Sequence, residues 1–172
     1  MASSQTPAKV RFAVLTVSDT RTIETDTSGA LLVERMAKAG HVVTQRRIVV
    51  DREAEINAAL DLWLEAEDVD AVVSTGGTGL TGRDITTDVF EARYDKAIPG
   101  FGELFRWLSF RDIGTSTIQS RATAGIADKT LLFALPGSPG ACRLAWDEIL
   151  LHQFDSTHRP CNFVGIMARL EE

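Results

Sequence analysis

Residues 10–17 read Val-Arg-Phe-Ala-Val-Leu-Thr-Val, apolar and β-branched almost throughout, and the run stops at Ser18-Asp19. A strand with one face in water alternates apolar with polar residues, whereas a strand apolar on both faces must be covered on both. This restricts the chain to folds with helices on each side of a sheet. The punctuation downstream agrees. Asp26-Thr27-Ser28 opens a helix to about residue 39, where Leu31, Leu32, Arg35, Met36 and Ala39 keep helical spacing and Gly40 supplies the stop. Residues 42–50 form a second strand, and the helix after Asp51 sets Ile56, Leu60, Trp63 and Leu64 on one stripe. Residues 70–75 form a third strand. Helices are predicted from 85 to about 94, from Pro99-Gly100 to about 108, and over 115–124. Residues 125–127 and 130–134 form a hairpin across Asp128-Lys129, a helix covers 141–153, and the tail from 155 is irregular. Strands alternating with helices predict an α/β fold: a three-layer α/β/α sandwich with right-handed crossovers, mainly parallel, with a small antiparallel hairpin.

One domain is expected over 9–165, with a flexible arm over 1–8 and a tail over 166–172. At 44% hydrophobic and 24% charged residues the chain can build an ordered core. A net charge of −6 argues against a nucleic-acid partner but leaves room for a small anionic ligand held by local donors. No run reaches the ~18 to 20 apolar residues of a membrane span, and the polar N-terminus shows no secretory signal. A cytoplasmic protein is expected, with Cys142 and Cys161 reduced. His41, His152 and His158 lie away from the polar loops and read as surface residues.

The third strand feeds Ser74-Thr-Gly-Gly-Thr-Gly-Leu-Thr-Gly-Arg83-Asp84, four glycines and three threonines closed by an arginine and a carboxylate. Glycines let a ligand approach the backbone, and exposed amides with hydroxyls make an anion cradle. A carboxylate beside a phosphate requires a cation between them. A sharp strand-to-helix turn with Asp84 as N-cap accounts for the same residues equally well. Four strand ends carry such polar or glycine-rich residues: Ser18-Asp19, Asp51, 74–84, and Leu135-Pro136-Gly137-Ser138-Pro139-Gly140. In open α/β sheets ligands bind beyond these carboxyl ends, so their concentration there argues for a site. Each has a plain alternative: Asp51 as a helix cap, Ser18-Asp19 as a turn, 136–139 as a stiff connection. Arg83 sits where it could clamp a phosphate, and Arg121 is open between that role and a solvated one. Neither a P-loop nor a dinucleotide fingerprint is present.

Thr75-Gly76-Gly77-Thr78-Gly79-Leu80-Thr81-Gly82-Arg83-Asp84 resembles the molybdopterin-binding signature of the MoaB/MogA family, shared with gephyrin-type G domains. The likeness continues through 98–106, Ser109-Phe110, Ile113-Gly114-Thr115-Ser116, Ser120-Arg121-Ala122, 135–138 and 159–163, and covers roughly residues 8–164. The resemblance implies adenylylation of molybdopterin by ATP with Mg²⁺, after which molybdate is inserted. It implies that Asp51 and Asp84 are the essential, magnesium-positioning carboxylates. It also implies that the 75–79 loop and Arg83 hold nucleotide and phosphate, and that Ser18, Asp19, Ser116, Arg121, Pro136, Gly137 and Ser138 line the nucleotide and pterin pockets. Glu103 could join the metal site, with a solvated place on a helix surface the favoured alternative. A non-catalytic molybdopterin-binding or carrier protein is the alternative. The resemblance further implies a homotrimer or homohexamer and a molybdate-inserting protein of the same pathway as a partner; the aromatic stretch Phe101, Phe105, Trp107 and Phe110 is a candidate contact, with ordinary core packing an equal alternative.

Overall fold

The apolar first strand, β1 (Arg11–Val17), is covered on both faces, and only Arg11 of its seven residues is exposed. The computed structural model describes residues 8–170. Five strands join β1 there: β2 (Val42–Val49), β3 (Ala71–Thr75), β4 (Lys96–Ala97), β5 (Thr123–Ala127) and β6 (Thr130–Leu135), in sheet order β2-β1-β3-β6-β5-β4. The β2-β1-β3-β6 half is parallel, and β5 pairs antiparallel with both β6 and β4.

Helices α1 (Thr27–Lys38), α4 (Pro99–Ile113) and α5 (Pro139–Ala145) cover one face, and α2 (Glu53–Leu64) with α3 (Thr86–Arg93) covers the other. After α5 the chain runs through a π-helical segment, Trp146–Leu150, into α6 (Leu151–Gln153). The period of two expected of strands sorts the core. Phe12, Val14, Val73, Leu131 and Phe133 pack with Leu32, Met36, Phe105 and Trp146. Ala13, Leu15, Val72, Leu132 and Ala134 pack with Ile56, Leu60, Trp63 and Phe90. Each fully buried large apolar side chain of this kind contributes about 1.5–3 kcal/mol. Among the described residues no helix is long and apolar enough to cross a membrane.

Four sequence expectations need correction. The helix expected over 115–124 is instead a 3-10 segment, Gly114–Gln119, followed by β5. Alanine favours helix locally, but residues 123–127 pair in register with β6, from Thr123↔Ala134 to Ala127↔Thr130, and pairing overrides propensity. Helix α4 extends past 108 to Ile113 and ends at Gly114 with φ +56°. The tail contains a short helix, α7 (Val164–Met167), which crosses the boundary drawn at 165. His41 is half-buried rather than free on the surface. Its Nδ1 accepts the Val10 amide at 3.3 Å, its ring packs edge-on against Phe12, and burial keeps the imidazole pKa low. The two-residue β4 escaped the sequence reading, and apart from Ala8 the expected arm over 1–8 lies outside the described residues.

Tyr94, just beyond α3, is the chain's single tyrosine. Its ring lies flat on Gly125 of β5: a Cβ there would fall 2.2–2.5 Å from ring carbons. Burial pushes the phenol pKa well above its ordinary value.

Candidate active site

Sheet order places the reversal of winding between β1 and β3, since β2 lies on one side of β1 and β3 on the other. Register then levels the strand ends: Val17 sits opposite Val49, Thr16 opposite Thr75, and Thr75 opposite Leu135. Ser18-Asp19, Asp51, the glycine loop and Pro136-Gly137-Ser138 therefore emerge along one edge.

Backbone contact holds these loops together. Gly76 has φ +98°, and a Cβ there would lie 2.2 Å from the Val17 carbonyl oxygen. The Gly76 amide donates to Leu135 O at 3.1 Å. Thr75 is buried, and its hydroxyl donates to Pro136 O at 3.0 Å. Beneath it, Cys142 Sγ lies 3.1 Å from that hydroxyl, with its thiol pushed up to about 11 by burial. Cys142 is thus a packing residue rather than a nucleophile. The Ser28 hydroxyl donates to Gly137 O at 2.8 Å, and Ser138 caps α5 by accepting the Ala141 amide at 3.1 Å.

Ser28 is itself fixed by Asp26, the N-cap of α1. Asp26 accepts from Thr16 Oγ1 at 2.7 Å, from the Gly29 amide at 2.9 Å and from Arg46 at 2.9 Å, and its side chain is 2% exposed. Burial works most strongly on this group and in the raising direction, yet these bonds and the Arg46 charge together hold the carboxyl below the usual range.

Asp51 has the opposite character. The helix-cap reading fails, because α2 is capped by Arg52, with no side-chain cap bond. Asp51 Oδ1 is buried without a hydrogen-bond partner. Burial pushes the carboxyl pKa up, Asp84 and Asp19 push the same way, and the Ile85 amide and Arg83 oppose them. Gly77, at φ +63°, keeps space open beside it: a Cβ there would meet Asp51 Oδ2 at 2.9 Å and the Thr86 hydroxyl at 2.2 Å.

Asp84 is not a cap either, since the N-cap of α3 is Ile85. It folds back inside its own loop, where Oδ2 accepts the Thr81 amide at 3.0 Å and the Thr81 hydroxyl at 2.6 Å. The Thr81 hydroxyl is the main cause of its lowered pKa, helped by the Thr81 and Gly79 amides and by Arg121, against partial burial. Arg83, 74% exposed, pairs with Asp19, whose other oxygen accepts the Asp51 amide at 3.2 Å. Ser18 Oγ accepts the Arg21 amide at 3.2 Å. Among the described residues no three His, Cys, Asp or Glu side chains are grouped so as to hold a metal ion by themselves.

A cavity of about 620 Å³ opens at this edge. Gly76 to Gly79, Asp84 and Pro136 to Ser138 line its floor, Phe105, Ile113 and Leu144 give apolar walls, and Ser109, Asp112 and Gln119 give polar ones. A smaller cavity of about 160 Å³ lies on the other side of Gly76 and Gly137, lined by Thr16, Ser18, Arg21, Asp26 and Ser28. Several expected residues line neither cavity: Asp19, Asp51 and Arg83 meet one another beside the loop outside both linings, and Arg121 borders a third cavity. Ser116 is exposed on the 3-10 segment outside both linings. Glu103 borders that third cavity with Arg106. Ser109, Asp112 and Gln119 escaped sequence reasoning, although Phe105, Ser109, Asp112 and Ile113 keep helical spacing and a small hydroxyl among aromatics was a readable signal.

A family model described as a probable molybdopterin binding domain matches residues 13–156. Molybdenum cofactor biosynthesis protein B of Escherichia coli strain K12 is 50% identical over 153 residues, covering 89% of this chain and 90% of that protein. The protein of the same name from Bacillus cereus is 48% identical over 148 residues, covering 86% and 88%. A crystal structure of a molybdenum cofactor biosynthesis protein B superposes with a TM-score of 0.88 at 43% identity, over 96% of this chain and 98% of that one. The tungsten cofactor synthesizing protein MoaB from Pyrococcus furiosus gives 0.80 at 33% identity, over 97% and 100%.

Proposed function

The chain belongs to the MoaB/MogA family, whose domain is the probable molybdopterin binding domain, and from that premise we propose that it binds molybdopterin and adenylylates it with ATP. In the proposed reaction an oxygen of the pterin phosphate attacks the α-phosphorus of ATP. The bond from that phosphorus to the bridging oxygen breaks, and pyrophosphate leaves with the electron pair. Two anions must approach, so positioning and charge compensation supply most of the rate.

The observation that carries the proposal is the buried, unpartnered oxygen of Asp51 beside a glycine loop and a second carboxylate. A lone buried carboxylate oxygen among like charges is costly unless a cation visits it. The residues fit Mg²⁺, provided that phosphate and water oxygens complete its shell, since the chain offers no three-ligand group among its described residues. Asp51 and Asp84 would hold it, and when bound it would offset charge on the reacting phosphates.

The remaining roles fall to the chain itself. The Gly77 and Thr78 amides, with the Thr78 hydroxyl, receive phosphate oxygens in the manner of an anion nest. Arg83 is exposed and can swing from Asp19 to a phosphate. Ser18 and Asp19 face the nucleotide, while Pro136, Gly137 and Ser138 form the floor shared with the pterin. Phe105, Ile113 and Leu144 suit a flat ring, and Asp112, Ser109 and Gln119 suit its polar edge. Thr75 acts as a strut through its Pro136 bond. The same reading takes the product to a molybdate-inserting protein in the cytoplasm. It includes self-assembly, supported by the exposed Leu104, Trp107, Phe110 and Ile113 on α4; Phe101 and Phe105 are in the core instead.

Incubation of the purified protein with molybdopterin, ATP and Mg²⁺ is expected to yield adenylyl-molybdopterin and pyrophosphate. Asp84→Ala is expected to stop turnover while pterin still binds. Pterin binding with no ATP consumed at ample enzyme concentration would leave a carrier and overturn the transferase.

A further inference from the structure

Arg121 lies between the 3-10 segment and β5, and its guanidinium points back under the glycine loop. Nη1 donates to two carbonyls, Gly79 O at 3.4 Å and Asp84 O at 3.3 Å. Nη2 pairs with Asp88 on the first turn of α3. The Arg121 carbonyl accepts from Thr87 Oγ1 at 3.3 Å, so backbone and side chain both engage the same helix start. The side chain is 27% exposed.

Gly79 and Asp84 are the two ends of the loop's outward excursion, whose tip, Leu80 to Arg83, is exposed. The excursion closes through the Asp84 amide on Thr81 O at 3.0 Å and the Thr81 groups on the Asp84 carboxylate. Those bonds give the loop its shape. They do not tie it to the sheet. Arg121 does, because one nitrogen with two hydrogens reaches both ends of the neck. Both Nη1 hydrogens are thereby committed, and a phosphate reaching that nitrogen would have to displace the two backbone carbonyls. A planar fork suits such a double contact, and a lysine ammonium lacks the fixed geometry to reproduce it.

The geometry points to Arg121 as a positioning residue, a clamp on the neck of the 79–84 loop that fixes where the Asp84 carboxylate stands, rather than as a ligand of substrate phosphate. Its positive charge also favours the ionised form of Asp84. The kinetic part of this inference rests on the adenylyl-transfer reading; the structural part does not.

The test joins two readouts on Arg121→Gln, Arg121→Lys and Asp88→Asn. Amide exchange of ligand-free protein needs no substrate. Exchange over 79–84 is expected to quicken by about tenfold or more in Arg121→Gln, with the sheet strands unchanged. In turnover, kcat is expected to fall about 10- to 100-fold while KM for ATP and for molybdopterin moves by less than about threefold, as for a misplaced group. Arg121→Lys is expected to recover little. Asp88→Asn, which leaves both carbonyl bonds in place, is expected to show a smaller change in the same direction. A large rise in KM at unchanged kcat would make Arg121 a substrate ligand and overturn the clamp. So would unchanged loop exchange, or a greater loss in Asp88→Asn than in Arg121→Gln. Wild type that exchanges as expected but never adenylylates would defeat the transferase reading and leave the clamp standing.

Discussion

Asp26 and Asp51 stand near the carboxyl edge of one sheet, each shortly before a helix, and they have been built in opposite ways. Asp26 is closed: its oxygens take bonds from Thr16, Gly29 and Arg46, and its pKa is held down. Asp51 is open: one oxygen has no partner, and burial with like-charged neighbours pushes its pKa up. A satisfied buried carboxylate stabilises a fold, whereas an unsatisfied one weakens it until something binds. The difference separates scaffold from proposed site more sharply than burial does, because the more buried of the two is the structural one.

The largest effect expected of this contrast is on stability. Asp26→Ala strands Arg46 and removes the cap of α1, and urea unfolding should show a loss of about 3–5 kcal/mol, as for breaking a buried pair. Asp51→Asn should behave in reverse. Adenylyl transfer should drop by about 100- to 1,000-fold, the scale of losing one preorganised charge-stabilising group, while the ligand-free protein should melt at a higher temperature than wild type. A lower melting temperature would mean that Asp51 is structural after all.

Gly77→Ala would narrow the difference by filling the gap beside Asp51. Its Cβ would press on the Thr86 hydroxyl at a positive φ, so a stability loss of about 1–3 kcal/mol is expected by calorimetry, with weakened Mg-ATP binding in titration. The smallest effect is in pH dependence, where the two aspartates have opposite signs. The stabilisation from Asp26 is present above the ordinary aspartate pKa and is lost as pH falls through its lowered folded value. Asp51, with a raised folded value, makes the protein lose stability as pH rises from the ordinary aspartate pKa through that raised one. Chemical denaturation across the acid range should therefore show that decline with rising pH flattened in Asp51→Asn and kept in wild type. Equal slopes in both proteins would remove the distinction.

Much of this architecture was legible because its signals are local. The two-sided apolar run at 10–17, the polar strand ends and the Asp128-Lys129 turn each specify their own conformation. The end of the 115–124 segment was misread because residues 123 and 124 continue the hairpin ladder with β6 beyond the part legible in sequence, and pairing overrides helix propensity there. Asp51 and Asp84 were ambiguous because a cap and a ligand differ by one residue of helix phase. Only the structure puts the caps at Arg52 and Ile85. Ser109 and Asp112 reach the cavity because α4 runs a full turn beyond its expected end, and Gln119 because the 3-10 segment that follows replaces the expected helix.

The stacking of Tyr94 on Gly125 equips the protein with an optical gauge at the antiparallel edge of its sheet. With a single tyrosine in the chain, the near-ultraviolet signal of tyrosinate comes from one place. In alkaline titration that signal should stay silent past the ordinary phenol range and then appear together with the loss of secondary structure. A tyrosinate signal that rises earlier, with the circular dichroism intact, would report that this hairpin edge opens on its own while the parallel half of the sheet holds.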